Sequence, residues 1–429
     1  MQACRFICRI GVNLCYRLST PAHGELHHHE TKTTKMKNVN VKLLVSSNFI
    51  SRLGSSMSNI AFIFGILSVT SSKIDLGLAF TCKTLPFIFF LLYGTAMSGK
   101  TKKITIIIRS EVARGVSQLI IGYTIFSGSY NQYLVLLSFF VFGVGEAFFL
   151  PSASALVPLI ARKDDIKSVN SYIGIYSSIA RISGPLIAGL LIEYFNPGLI
   201  IIIDGFTYFL SSSLYSMMHV DSDIERKDST SSNFLSKVRH PIRIIRSSEW
   251  LKYVLIQLSV LNILAFAPFT ILGPSTFLGR TNGPLTWGSV IAFSGIGSLI
   301  GSLVIKRFTI NRPVAFLELF ILLLSVPLII ISFSSTIPLY IVAGIIYGMA
   351  ITVIDLYLDI SIQRTVRNDM VAQVTSLFIF SSVAMSPIGF LLSGYIGSYL
   401  GIRNMLISSS AIIIIYSASM IIKFYKVKE

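Results

Sequence analysis

Long runs of apolar residues, separated by short polar stretches, recur along the chain from about residue 43 to residue 424. Each run is close to the ~20 residues that a helix needs to cross about 30 Å of hydrocarbon. The pattern predicts an all-α membrane protein with twelve transmembrane helices. The predicted spans are 43–70, 75–97, 104–125, 132–158, 168–194, 199–219, 251–279, 287–305, 314–333, 337–362, 371–398 and 404–424.

The charged residues between these runs predict the orientation, because Lys and Arg accumulate in cytoplasmic loops during insertion. If the N-terminus is inside, the outer loops hold only Lys73, Arg280 and Arg403, whereas the inner loops hold many basic residues. Both termini are therefore predicted to be cytoplasmic. The formal net charge of +17 is explained by this topology and by contact with anionic lipid, and not by binding to nucleic acid.

The ends of the chain and one internal segment do not follow the apolar pattern. Residues 1–35 are either a transit-like segment or an upstream extension, and they include Cys4, Cys8, Cys15 and a His27–His29 cluster. The four cysteines show no disulfide framework or metal-ligand spacing. The predicted organisation is a cytoplasmic tail 1–42, a six-helix half 43–219, a cytoplasmic linker 220–250, a second half 251–424 and a tail 425–429.

An internal repeat supports this division. A shift of 205 residues aligns spans four and five with spans ten and eleven without a gap. The matched positions include Gly143 with Gly348, Arg162 with Arg367, Asp164 with Asp369, Gly184 with Gly389 and Gly189 with Gly394. The chain is therefore predicted to be a duplication of six helices, with two parallel halves that suit alternating access around a central site.

Five stretches carry a resemblance to a known family. They are PSASALVPLIARKDDIKSVNS, RISGPLIAG, IDGFTYFLSS, NFLSKVRHPIRIIRSSEWLK and GSVIAFSGIGSLIGSL. Together they resemble the major facilitator superfamily, and more narrowly its macrolide-efflux-like drug exporters, over roughly residues 43–424. The resemblance implies the major facilitator fold and a cavity lined by spans four and ten.

The stretch GTAMSGKT, from Gly94 to Thr101, fits a phosphate-binding loop by its letters. It follows a predicted membrane span rather than a buried strand, so we expect no nucleotide to bind there. The link between spans two and three in the superfamily carries a gating motif, which resembles Gly94 with Lys100, Lys102 and Lys103. Ser98 stands where the family usually has Asp, and this departure removes the acid that normally pairs across the inner face.

Ionisable residues within spans are expensive to bury and are candidates for function. Glu146 and Arg181 lie at similar depth in spans four and five, and we expect them to be partners in substrate binding or proton coupling. Asp355 and Asp359 are four residues apart on span ten, hence on one helical face, and are further candidates. The alternatives are a structural ion pair for Glu146 and Arg181 and an interfacial position for Asp359. For Arg181 a helix-packing role is a further alternative, because the exporters that the chain resembles often carry a basic residue just before the Gly-Pro pair.

Other spans contain candidates for gating or packing. Glu111 and Arg114 have the spacing of an intrahelical ion pair, for which we favour a gate-forming structural role. Gly184, Pro185 and Gly189 resemble the Gly-Pro motif of superfamily exporters and are expected either to bend span five or simply to pack it. Asp204 in span six is expected either to snorkel or to bond to a neighbouring helix, rather than to couple protons. Lys83 is unusually deep, where it either meets the acids or reaches water through its long stem.

These features predict a secondary transporter that exports an amphipathic small molecule or drug, driven by a proton gradient. It would be a monomer in a bacterial cell membrane, without a cofactor, metal or nucleotide. One alternative is a dedicated exporter or flippase for a metabolite, siderophore or lipid. Another is a non-transporting receptor or scaffold, while an enzyme is disfavoured because no nucleophile or metal motif has a convincing context.

Overall fold

The computed structural model describes residues 39–97, 102–161, 165–218, 249–307, 313–334, 336–366 and 368–426. These residues are helical almost throughout, and no β-strand occurs among them. The first helices are α1 Val39–Thr70, α2 Lys73–Met97, α3 Lys103–Phe126, α4 Gln132–Ile160, α5 Ile166–Tyr194 and α6 Pro197–Ser216. Helices are expected here because lipid offers no partner for backbone polar groups, which must bond within the chain.

The second part of the chain contains more interrupted helices. They are α7 Glu249–Leu261, α8 Ala267–Ser275, α9 Gly283–Arg307, α10 Pro313–Leu323, α11 Ser325–Phe333, α12 Ile337–Thr365, α13 Asn368–Ala384, α14 Ser386–Tyr399 and α15 Ile402–Lys426. A π-helical turn, Asn262–Phe266, joins α7 to α8. The break between α13 and α14 comes just before Pro387, which has no N–H to donate to the preceding turn.

Ten helical segments in the described part of the chain are long and apolar enough to cross a membrane. α2 and α3 are not among them, and α3 carries Arg109, Glu111 and Arg114. The all-α membrane architecture is confirmed, whereas the count of twelve spans stays a prediction. α1 begins at Val39, within the predicted tail, and residues 1–35 and most of the linker lie outside the described residues.

The same helix pairs pack together in the two parts of the chain. α2 packs on α4 as α9 packs on α12, and α3 packs on α6 as α10 and α11 pack on α15. The repeat-related glycines lie at equivalent contacts: a Cβ at Gly143 would overlap the Lys83 carbonyl, and one at Gly348 would overlap the Ser294 carbonyl. The predicted duplication is therefore visible in the packing of the helices.

Two helix pairs make the most extensive contacts between the halves. α5 packs on α9, and α2 packs on α14. Glycines bring these backbones close: a Cβ at Gly189 would lie 2.7 Å from the Pro284 carbonyl oxygen, and one at Gly394 would lie 2.7 Å from the Lys73 carbonyl oxygen. The repeat matches Gly189 with Gly394, so the α5–α9 contact and the α2–α14 contact use equivalent glycines of the two halves.

The pattern GTAMSGKT begins inside a helix. Gly94 lies in α2, which continues to Met97, and Lys102 precedes the first residue of α3. The residues before the pattern are thus helical rather than a strand. Lys100 lies outside the described residues, and Lys103 is buried at the start of α3.

Candidate functional site

A cavity of about 720 Å³ lies between the two halves. Both halves line it, through α1, α2, α4 and α5 on one side and α7 to α9 and α12 to α14 on the other. Its aromatic lining residues are Phe80, Phe87, Phe266, Phe269, Trp287, Tyr347 and Phe390. A cavity of this size and character matches known small-molecule sites, which are concave and mostly apolar with a few placed polar groups.

Four charged side chains line this cavity: Lys83, Glu146, Arg181 and Asp355. The sequence-based candidates Glu146, Arg181 and Asp355 are therefore brought together, although they come from α4, α5 and α12. Asp359 is exposed and lies one helical turn from Asp355 on α12, but it does not line the cavity. The four lining charges thus come from both halves, three from the first and one from the second.

Glu146 and Arg181 face the same cavity but do not form the ion pair that we considered. Glu146 and Arg181 are neither ion-paired nor hydrogen-bonded to each other. Arg181 is exposed towards the cavity and Glu146 is half-buried. A structural role as a permanent pair is therefore not supported, and their coupling role stays a prediction.

Lys83, which the sequence marked as deep enough to meet the buried acids or to reach water through its stem, lines the cavity. Its Nζ donates a hydrogen bond to Asn59 Oδ1 at 3.3 Å and lies 4.8 Å from the centroid of the Phe142 ring. Phe142 is one helical turn from Glu146 on α4, so Lys83 and Glu146 belong to the same region of the wall. The sequence feature that indicated a site residue here is a lysine ten residues into an apolar span, where a cation needs a polar partner or water.

A polar cluster from the second half was missed. Asn262 Nδ2 donates to Ser382 Oγ at 2.6 Å, and Ser386 Oγ donates to Asn262 Oδ1 at 3.0 Å. All three line the cavity, and Asn262 begins the π-helical turn. π-helical turns often occur at functional sites. The spacing of apolar residues in the sequence does not distinguish such a turn from an α-helix.

The pair Glu111 and Arg114 is confirmed as an intrahelical ion pair. Arg114 Nη2 lies 2.8 Å from Glu111 Oε1, and both side chains are buried. The Arg114 guanidinium also lies 4.0 Å from the Phe149 ring centroid and 4.7 Å from that of Tyr208. The pair ties α3 to α4 and α6 inside the first half, and its role in gating stays a prediction.

Asp204 is held behind the cavity wall by side chains of neighbouring helices. Ser58 Oγ and Gln118 Nε2 both donate to its Oδ2 at 2.5 Å, and Thr207 Oγ1 donates to Oδ1 at 3.0 Å. Only 1% of Asp204 is exposed. The expected bonding to a neighbouring helix is confirmed, with partners on both α1 and α3.

The Gly-Pro segment of α5 lies where two helices approach it. A Cβ at Gly184 would lie 2.5 Å from the Ser56 Cβ of α1, and the Pro185 carbonyl faces Gly288 of α9. α5 runs as one helix from Ile166 to Tyr194 through Pro185. The packing role is therefore visible, and a functional bend at this point stays a prediction.

Comparison with known proteins places this geometry in a family. The model of the Major Facilitator Superfamily matches residues 44–389. The chain belongs to this superfamily. Macrolide efflux protein A of Streptococcus pyogenes is 22% identical over 374 residues, which cover 85% of this chain and 91% of that protein. The putative bacilysin exporter BacE of Bacillus subtilis (strain 168) is 22% identical over 299 residues, covering 69% and 73%.

Solved structures show the same fold. The nucleoside transporter NupG superposes with a TM-score of 0.73 at 10% identity, covering 91% of this chain and all of that one. A bacterial homologue of the lysosomal transporter Spinster, in an inward-facing and unoccupied conformation, gives 0.72 at 12% identity, covering 90% and 97%. This facilitator is thus a multi-pass membrane transporter with efflux-protein relatives, and not an enzyme.

Proposed function

We propose that this facilitator exports an amphipathic small molecule or drug in exchange for protons, by alternating access. The observation that carries the proposal is the shared cavity, where Glu146 and Asp355 stand among aromatic side chains from both halves. Aromatic walls suit the apolar body of such a substrate, and the carboxylates suit exchange of protons with water in the cavity.

The packing between the halves supports alternating access. The glycine contacts of α5 with α9 and of α2 with α14 involve Gly189 and Gly394, near the C-terminal ends of α5 and α14. The predicted linker would leave the halves free to move as rigid bodies. Motion of this kind exposes a fixed central site to one side of the membrane and then to the other.

The carboxylates offer a way to couple the two fluxes. An ionised group within the membrane costs at least about 2.5–3.5 kcal/mol on insertion scales. A proton on Glu146 or Asp355 removes a negative charge from the cavity, and with it an attraction for a cationic group of the substrate. Proton entry would then favour substrate release.

Transport assays in reconstituted vesicles test the proposal. A panel of amphipathic compounds is measured with and without a pH gradient, using the wild type, Glu146→Gln, Asp355→Asn and the matched control Asp75→Asn at the start of α2, outside the cavity. We expect gradient-driven transport to fall by about tenfold or more, equivalent to 1.4 kcal/mol, in the two cavity variants. Wild-type transport that ignores the gradient would exclude proton antiport.

A second candidate is an exporter dedicated to one metabolite, which the similarity to the putative bacilysin exporter favours. Retention of drugs in a deletion strain separates the two. If every macrolide, dye and biocide tested is retained equally with and without the gene, multidrug export is wrong and the dedicated exporter stands.

We further propose that the protein lies in a bacterial cell membrane with both termini in the cytoplasm. The excess of Lys and Arg in the loops predicted to be internal supports this orientation. Labelling of single cysteines from the two sides of the membrane tests it.

A further inference from the structure

The charges of the cavity wall are divided unequally between the halves. Lys83, Glu146 and Arg181 belong to the first half, so its wall carries two cations and one acid. Asp355 is the charged lining residue of the second half. Asp204 does not reach the cavity, because Ser58, Gln118 and Thr207 enclose it. The first-half wall therefore has an excess positive charge opposite a negative one.

No ion pair among the described residues satisfies these four groups. Lys83 is bonded to the neutral Asn59, and no hydrogen bond or ion pair joins Arg181 or Asp355 to another side chain. Charges that leave water need a partner, and the partner here has to come from water or from a ligand. A solute that carries both charges would supply such partners when the cavity closes around it.

A buried hydroxyl points to a polar ligand group on the second half. Tyr347 lines the cavity, is 8% exposed, and its hydroxyl has no hydrogen-bond partner among the described residues. Its ring stacks on Phe269 with the centroids 3.7 Å apart. Buried polar groups are nearly always bonded, so this hydroxyl lacks a partner that a ligand could provide. It stands on α12, the helix that carries Asp355.

We propose that the substrate is a zwitterion, with an anionic group bound by Lys83 and Arg181 and an ammonium group bound by Asp355 and Tyr347. Its apolar body would lie against the aromatic wall between them. A cation alone would leave the first-half wall unmatched, and an anion alone would leave Asp355 unmatched. The inference rests on the proposed transport through this cavity, and it adds the charge of the substrate.

Three forms of one probe test the charge requirement. Phenylalanyl-phenylalanine carries both charges, its C-terminal amide carries only the ammonium, and its N-acetyl form carries only the carboxylate. Binding to the purified full-length protein is measured by isothermal titration. We expect the zwitterion to bind at least about tenfold more tightly than either singly charged form, since each charge-assisted bond contributes separately.

Substitutions in the cavity wall test which side chain binds each charged group of the probe. Lys83→Met should weaken binding of the zwitterion and the N-acetyl form by about tenfold and leave the amide unchanged. Asp355→Asn should weaken the zwitterion and the amide and spare the N-acetyl form. Lys83→Arg should restore carboxylate binding. Lys306→Met, an exposed residue outside the cavity, is the matched control and should change none of the three affinities.

Three results would overturn the inference. The first is equal affinity for the three forms, and the second is tighter binding of a singly charged form. The third is that the protein binds other amphipathic compounds but none of the three forms. Thermal unfolding of each variant shows whether it is folded. Binding needs no gradient, so this test is separable from the transport proposal. Charge-selective binding without proton-driven transport would contradict antiport alone, and proton-driven transport with equal binding would contradict the zwitterion alone.

Discussion

Arg114 lies against two aromatic rings and is paired with the Glu111 carboxylate, in a helix that the sequence marks as one of the more polar of the chain. Its charge is compensated by Glu111, so each residue makes the burial of the other tolerable. Removing one member of such a buried pair usually costs about 3–5 kcal/mol, because the remaining charge has no partner, whereas replacing both is often close to neutral.

This asymmetry gives a prediction for the pair. We expect Arg114→Met to lower the free energy of unfolding by about 3–5 kcal/mol, and Glu111→Gln with Arg114→Met to recover most of that loss. Thermal unfolding of the full-length protein in detergent measures both, with Arg109→Met on the same helix as the control. A double variant as unstable as the single one would mean that the rings, rather than Glu111, are what Arg114 stabilises.

At the same scale, the sequence predicted the lining carboxylates but not all of their neighbours. Glu146 and Asp355 could be selected because an acid in an apolar span has few acceptable places other than a cavity. Lys83 was less clear, since the long stem of a lysine also allows it to reach water at the interface. The partnerless Tyr347 hydroxyl depends on the packing of α12 against α8, which the order of residues alone does not reveal.

At the scale of helices, hydropathy predicted where the spans lie, because the bilayer sets the length of each apolar run. α4, for example, is observed at Gln132–Ile160 against the predicted 132–158. The interruptions of the second half were not predicted. The π-helical turn at Asn262 adds one residue to a turn in a sequence that remains apolar, so no polarity change marks it.

Two of the close helix contacts depend on glycines that the repeat relates. Gly143 faces the Lys83 carbonyl and Gly348 faces the Ser294 carbonyl, so a Cβ at either would overlap backbone that cannot move independently. Gly174 on α5 has no atom within 4 Å of its would-be Cβ. Adding a methyl group to a tight contact typically costs about 1–3 kcal/mol, whereas Gly→Ala at an open helical site is stabilising by about 0.4–1 kcal/mol.

We therefore expect Gly143→Ala and Gly348→Ala to lower the melting temperature by similar amounts, and Gly174→Ala to leave it equal or higher. Differential scanning fluorimetry of the three variants beside the wild type is sufficient. Similar losses at the two repeat-related positions would show that the halves use the same contact for the same purpose. If Gly143→Ala and Gly348→Ala are both as stable as Gly174→Ala, the close approach of these backbones is wrong.

For the whole molecule, the repeat predicted that the chain is a duplication of six helices, and the helix pairs observed within the two halves correspond, because similar sequences pack in similar ways. The contacts between the halves were harder to predict. Gly189 and Gly394 are visible in the alignment as matched glycines, but nothing in it says that each faces a helix of the other half. Only this arrangement of the halves brings Asp355 into one cavity with Lys83 and Arg181, so the charge of the cavity wall could not be predicted from the sequence alone.

The orientation of this assembly in the membrane is the broadest prediction. The five helical elements α3, α4, α5, α6 and α7 with α8 separate Lys102 from Arg280. If each of these elements crosses the membrane once, the two residues lie on opposite sides, and the charge asymmetry predicts that Lys102 is cytoplasmic. We expect a membrane-impermeant maleimide to label Arg280→Cys in intact cells and Lys102→Cys only in inside-out vesicles.

The background for this experiment lacks Cys4, Cys8, Cys15 and Cys82, and Ser129→Cys in the exposed turn after α3 serves as a control that should label with Arg280→Cys. Reversed labelling of all three would invert the orientation and leave the fold intact, because the number of crossings would be unchanged. Labelling of Lys102→Cys and Arg280→Cys from the same side would be more serious. It would require an even number of crossings between them, and the two halves would then no longer enclose a cavity open to each side in turn.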